Sequence, residues 1–457
     1  MKKLLYFLLL LPVILLAQDL KGTVFSENGE PLENVNIYAI SSKSGTITNK
    51  NGLFSISILS KFKESEVLEF SYIGFKSIKI AVTDLENQNF KIYLKENIQN
   101  LSEVAINNNI KLKAKLEFNV LKPLKDPVFS FGSFVKDGKI YVTGGNESRE
   151  TNSFMKLRDE RPDATALDVQ KELSRNPDYF MFKDNLAIYD IKNDSWETST
   201  VKFKKRANHS IFPYNDKIYI IGGKRISVNG KFEYLQDQIE VFDTNTNTIT
   251  IDKTNPHQAS DFASVIYKDN IIVMGGSIKK SESGKKTFTN KVHMYNITSG
   301  YWYELAQMPT AKETTGILAG DKIYLLGGND GNLVSKIETF DLITEKWQTE
   351  GELFSGLERP ALTYHNDIIY FFENQKICTY NIQTKQLKEY EINIEVKYAA
   401  LLYNNNKLYI IGGLSDKNFS KMSSSKVFSI NVEEFGNTRA TRTKILSQTT
   451  DTTKSDG

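Results

Sequence analysis

The chain has 457 residues, 25% of them charged and 40% hydrophobic, enough to build two separate cores. Its formal charge of +3 is close to neutral and its basic residues are scattered among acidic ones, which excludes the basic stripe a nucleic-acid partner needs. A single cysteine, Cys378, excludes a disulfide framework.

At the N-terminus, Lys2-Lys3, the apolar run Leu4–Leu16 and Ala17-Gln18 have the basic, apolar and cleavage regions of a secretory signal, residues 1–17. The run is too short to span a bilayer comfortably, although Leu15 is larger than the residue usual three positions before a cut. The expectation is an exported protein, periplasmic, outer-membrane-associated or extracellular, with no transmembrane span after cleavage. No cysteine stands at the junction to carry a lipid anchor.

Residues 18–96 read as short strands separated by turns. Lys21-Gly22-Thr23-Val24 opens the pattern, Asn28-Gly29-Glu30-Pro31-Leu32 is a turn, and Val35-Asn36-Ile37-Tyr38 alternates apolar with polar. Gly45–Thr48, the turn Asn51-Gly52, Phe54–Ile58 and Leu68–Phe75, with Ser71-Tyr72-Ile73-Gly74 inside it, complete the set. In order and spacing these motifs resemble the carboxypeptidase-regulatory-like domain, and the likeness runs through Leu101-Ser102-Glu103-Val104. The resemblance implies a seven-stranded-type, transthyretin-like β-sandwich of the sort found at the front of TonB-dependent outer-membrane receptors. Asp19–Asn97 contains no His and no Cys, so no peptidase chemistry is expected from it. Its expected role is docking or spacing, with an outer-membrane protein as the partner, followed by a linker at 97–112.

Beyond the linker one peptide returns repeatedly. Ile218-Tyr219-Ile220-Ile221-Gly222-Gly223 has counterparts at Ile140–Gly145, Ile271–Gly276, Ile323–Gly328 and Leu408–Gly413, and a degenerate one at Ile369–Asn374. Each follows a tight turn (Asp137-Gly138, Asn215-Asp216, Asp269-Asn270, Gly320-Asp321, Asn366-Asp367, Asn404–Asn406) built from residues that tolerate positive φ. Each precedes a second strand pair, such as Ile239–Asp243 and Thr248–Ile251. Trp196, Trp302 and Trp347 all lie six residues after an Asp or Asn, at one repeat position that Ile249 and Leu387 fill elsewhere; packing between neighbouring units is their expected role. These residues resemble the kelch repeat, whose strand ends in Gly-Gly and is followed by a Tyr-Asp-like pair and a Trp six residues on. The resemblance covers residues 113–433 and implies a six-bladed β-propeller. The fifth copy departs from it with Glu373-Asn374 in place of the glycines, and the sixth has no outer strand of its own. Leu116–Leu121, ahead of the first copy, is expected to supply that strand and close the ring. The fold class is therefore all-β: a β-sandwich followed by a six-bladed kelch propeller closed by an N-terminal strand. Residues 434–457, rich in Thr, Ser, Lys and Asp, are expected to be a disordered tail.

In such a meander the loops leaving each Gly-Gly strand and those approaching the next inner strand emerge on one face, where function is expected. The candidate ligand-binding residues there are Asn146, Arg149, Arg206, Lys224, Arg225, Asn329, Asp330, Arg359 and Asp416. Glu147, His209, Lys312, Glu313 and Ser415 share the face. Arginine forks and short amide or carboxylate side chains suit an acidic or hydroxyl-rich ligand, and Arg225 and Arg359 are expected to be exposed, so that their loss costs little stability. The loop Asn146–Asn185 is too long for a simple connection. Asp163 is its expected helix cap, and Ala164–Arg175 its helix, with Ala166, Val169 and Leu173 forming a stripe buried against the propeller, either as a rim or lid over the face or as filler packed on a blade edge.

Catalytic signals are sparse. His209, His257, His293 and His365 fall in different repeats without metal-ligand spacing, and Cys378 stands in no copper-oxidase motif, so no catalytic residue, metal or cofactor is assigned. Binding of a protein or glycan partner is the expected function. The alternative is a kelch-type sugar enzyme, epimerase- or mutarotase-like, using Arg149, Arg206, Arg359, Glu147 and Glu313. An Arg meeting a carboxylate deep in the channel favours the enzyme, and a broad polar rim favours the binder.

Overall fold

The computed structural model describes residues 17–59, 65–72, 75–96, 112–227 and 232–446. The signal, Ile73-Gly74, Leu101–Val104 and nearly all of the linker lie outside these residues. The chain divides into two compact units, Met1–Ile110 and Lys111–Gly457.

In the first unit Ala17–Ser26 pairs antiparallel with Leu53–Leu59 and parallel with Lys91–Leu94. A second sheet has the order Ser44–Ile47, Asn36–Ala39, Val67–Ser71, Ile78–Ala81. Alternation puts Ile37, Ala39, Phe54, Ile56, Leu68, Phe70 and Ile92 into one core shared by both sheets. The Asn51-Gly52 turn is dictated sterically: Gly52 has φ +72°, and a Cβ there would lie 2.5 Å from the Val24 carbonyl oxygen.

The second unit is a series of antiparallel meanders. The first sheet comprises Gly132–Lys136, Lys139–Thr143, Asn185–Asp190 and Ser195–Lys202; the second, Ser210–Tyr214, Lys217–Ile221, Ile239–Asp243 and Thr248–Asp252. The third comprises Ala263–Tyr267, Asn270–Met274, Val292–Asn296 and Trp302–Leu305; the fourth, Glu313–Ala319, Lys322–Asn329, Lys336–Asp341 and Lys346–Glu352. The fifth begins Ala361–His365, Ile368–Glu373, Lys376–Asn381, Gln386–Glu391, and the sixth Ala400–Asn404, Lys407–Ile411, Val427–Asn431. Asn119–Leu121 is the outermost strand of the sixth sheet, with Val120 opposite Phe428. In the third sheet the turn residues are Lys268 and Asp269, one position ahead of the expected pair, because Tyr267 rather than Lys268 faces Asn270.

Each buried apolar cluster of this unit joins two consecutive sheets, and one joins the sixth (Tyr409, Ile411, Val427) to the first (Ile140, Val142, Tyr189). The tryptophans serve these junctions. Trp302 Nε1 donates to Thr254 Oγ1 at 3.1 Å and Trp347 Nε1 to the Ala306 carbonyl at 3.2 Å, each reaching the chain just past the outer strand of the preceding sheet. Trp196 Nε1 donates to the Lys122 carbonyl at 2.9 Å, just past Asn119–Leu121.

Two expectations fail. The tail is ordered through Leu446: Arg442–Ile445 adds a fifth strand to the fifth sheet, Arg442 pairs with Glu389, and Leu446 is buried against Gly351. Low apolar content misled here, since one bidentate ion pair, a strand edge and one leucine hold the segment. Residues 447–457 lie outside the described residues. In the long insertion the helix spans Ala166–Arg175, and Thr165 rather than Asp163 caps it, in a reciprocal capping box with Asp168. Its stripe is not buried: Ala166 and Leu173 are exposed and Val169 is only half-buried. It leans instead on a second helix, Ser153–Glu160, through Lys156 and Glu172 at 3.1 Å.

Candidate functional site

Six short segments, one approaching each inner strand, converge on one cavity of about 290 Å³. Its lining includes Ser130, Asn208, Asp261, Thr314, Arg359 and Tyr398, one residue from the approach to, or the start of, each sheet's inner strand. They occupy equivalent places, linked by a shared pattern of backbone hydrogen bonds: Ser130 N donates to Tyr398 O, Asn208 N to Ser130 O, and Thr314 N to Asp261 O. Below them Gly132, Ser210, Ala263, Gly316, Ala361 and Ala400 keep the walls apart. Ser130, Asn208, Asp261 and Tyr398 have φ between 51° and 59°, a region costly for side chains other than glycine.

Asp261 organises the charge. Its carboxylate pairs with Arg359, accepts from Asn208 Nδ2 and from Ser260 Oγ (3.1 Å), and lies 3.6 Å from Lys224 Nζ. Burial works against this carboxylate, but the Arg359, Lys224 and Lys286 cations outweigh it and hold the group below its usual range. Lys224 also pairs with Glu233 at 3.0 Å, and Glu233 with Lys280 at 2.9 Å, so alternating charges run out along the hairpins that rise from the second and third sheets. Glu313 is completely buried and is held by Lys286 at 2.8 and 3.0 Å. Burial, and next the Asp261 charge, push its carboxyl upward despite Lys286. Arg359 lies 4.5 Å above the Tyr398 ring, and Tyr398 donates to Glu358. The Arg359 Nε is buried without a protein hydrogen-bond partner.

Of the residues expected to bind ligand, only Lys224 and Arg359 belong to this cluster. Asn146 accepts from Ser148 N (2.7 Å), Arg149 donates to Asn176 (3.1 Å), and Arg225 stacks 4.2 Å from the Tyr234 ring. Asn329 and Asp330 cap the turn at Gly331 and Asn332, and Asp416 is exposed opposite Lys421. Arg206 is not a ligand residue in this geometry: it is 1% exposed, paired with Glu240, and donates to the Gly222 carbonyl at 3.1 Å. Lys312 repeats the arrangement with Glu338 and the Gly327 carbonyl, and in the third sheet His257 reaches the Gly275 carbonyl (2.8 Å) and His293 (2.9 Å). These staples hold the strand ends under the glycine pairs. Arg359 is also not the exposed charge expected, since only 16% of its side chain is accessible. Asn208, Asp261 and Tyr398 went unnoticed because their significance lies in alignment of the approaches, the most variable part of the repeat.

Residues 172–373 match the family model described as "KLHDC2/KLHL20/DRC7 Kelch-repeats domain", and residues 20–106 match the CarboxypepD_reg-like domain. Human Kelch-like protein 23 is 24% identical over 199 residues, 43% of this chain and 31% of that protein. Alpha-scruin of Limulus polyphemus is 21% identical over 276 residues, 55% of this chain and 29% of its own. The chain thus spans less than a third of the length of these relatives. A solved structure of YjhT aligns with a TM-score of 0.48 at 14% identity, covering 68% of this chain and 99% of that one.

Proposed function

We propose that this kelch-repeat chain with a carboxypeptidase-regulatory-like domain is an exported cell-envelope binding protein. Its six meander sheets are read as the blades of a propeller closed by Asn119–Leu121; the apolar cluster between the sixth and first sheets and the Trp196–Lys122 bond support that reading. The domains are a signal at 1–17, the sandwich at 18–96, a linker at 97–112 and the propeller from 113, with the strand Arg442–Ile445 fastened to it. Export rests on the signal-like N-terminus, and docking to an outer-membrane partner on the sandwich.

The channel mouth binds a protein partner. The observation that carries this is the ring of Ser130, Asn208, Asp261, Thr314, Arg359 and Tyr398, where four non-glycine residues are held at positive φ around a cavity. Strain of this kind is retained where side-chain placement matters more than stability. The kelch-repeat match agrees with a binding role. The sugar-enzyme alternative draws on the pairing of Arg359 with the buried Asp261, and on the buried Glu313 beside them. The test has two parts. Fractionation and N-terminal sequencing should find the protein outside the cytoplasm, cut near Gln18. Ser130→Trp, which fills the cavity from a half-buried ring residue without removing a charge, should abolish partner capture while the melting temperature holds; capture unchanged by it would refute the site.

A further inference from the structure

Resting on that reading, we infer that the partner enters as an extended protein segment lying across the fifth sheet, the side where the connection bordering the mouth is shortest. The segments leaving the second strands are residues 144–184, 222–238, 275–291, 330–335, 374–375 and 412–426. Three of them raise β structure above the mouth: Lys224–Ile226 with Glu233–Leu235, Ser277–Lys280 with Lys286–Phe288, and Leu414–Lys417 with Ser420–Ser423, the last extended by Arg149–Thr151 of the first. The fourth is a six-residue loop, and the fifth is only the turn Asn374-Gln375, at φ 41° and 65°, which returns the chain directly into its own sheet. Loss of the glycine pair in this repeat and loss of the wall are the same event, because Glu373 pairs across to Lys376 where other sheets leave upward.

The open side is adjacent to the ring members with the most to offer. Arg359 and Tyr398 approach the fifth and sixth inner strands, and Arg359 Nε is the unpartnered donor. The neighbouring sheets carry exposed apolar side chains, Leu333 on the fourth and Phe419 and Met422 on the sixth. A polar floor between apolar shoulders suits a protein segment, with main-chain polarity and mixed side chains, better than a sugar chain with no aliphatic surface of comparable size. The 290 Å³ cavity lies at the small end of ligand pockets, so it receives one side chain of the segment while the rest leaves over Asn374 and Gln375.

The test uses the full mature chain and a phage-displayed library of random linear peptides. Lys376 stands at the open side and is half exposed. Cys378 is buried and its thiol is pushed up by that burial, so Lys376→Cys can be labelled selectively with a polyethylene glycol maleimide. Unlabelled K376C serves as its own folded control, and labelled Lys285→Cys, on the walled side, as the positional control. A selected peptide should lose about tenfold or more in affinity when position 376 is blocked and change little when 285 is blocked. Equal affinity with 376 blocked, or equal loss from both positions, overturns the open-side inference alone. Failure of the unmodified protein to select any peptide overturns the protein-partner reading beneath it.

Discussion

Arg359 and Asp261 form an ion pair that ties the approach of the fifth inner strand to that of the third, passing over the fourth. Two residues nearly a hundred positions apart thereby bracket the cavity from either side of the fourth sheet's approach. The Asp261 side chain is only 2% exposed, so removing its partner leaves a buried charge whose remaining ion pair is the longer one to Lys224, at 3.6 Å.

Arg359→Ala should therefore destabilise by about 3–5 kcal/mol, against the near-zero cost of an exposed loop charge. Chemical denaturation of R359A, D261N and the double variant checks this. The double variant should recover part of the loss, and strictly additive losses would mean the pair is not coupled.

Asp261 also sets an acid limit. Its folded-state pKa is depressed, by the Arg359 and Lys224 cations overcoming burial, so it contributes stability fully above the unfolded aspartate value near ~3.9 that is lost as pH falls below it. D261N should flatten this part of a stability–pH profile.

A second pH dependence lies higher. His257 is pushed down to about 4, first by burial, and donates through Nε2 to the Gly275 carbonyl while its Nδ1 faces His293. The unfolded chain takes up protons from about pH 6.5 and the folded one does not, so stability declines as pH falls from there toward 4. His257→Gln, which retains an amide donor, should reduce that slope in urea midpoints measured across this range.

The ordered end of the chain makes a local prediction. Leu446 is buried against Gly351 of the fourth sheet while Arg442–Ile445 pairs with the fifth. Leu446→Ala should cost about 2–4 kcal/mol, and deletion of residues 447–457 should cost nothing measurable in the same melting assay.

Strand order within a repeat and the packing role of the tryptophans were legible because Gly-Gly, the tight turns and Trp recur at fixed spacing. The Asn119–Leu121 strand was legible from a deficit in the sixth repeat. Burial of Arg206 was not, because a cation in an approach loop looks solvated until Glu240 and the Gly222 carbonyl are placed above it. The site was half legible: Lys224 and Arg359 were visible as charges, whereas Asp261, Asn208 and Tyr398 matter only because six approaches line one cavity. The strand at Arg442–Ile445 and the helix Ser153–Glu160 were invisible for a simpler reason, as neither has an apolar pattern strong enough to stand out.

The most direct test of the mouth as the binding site is photocrosslinking in the native cell. A benzophenone amino acid placed at Tyr398, in the ring, is compared with one at Tyr301, exposed ahead of the outer strand of the third sheet. A discrete adduct from position 398 that is absent from 301 is the predicted result; adducts from 301 alone, or from neither position, would contradict it.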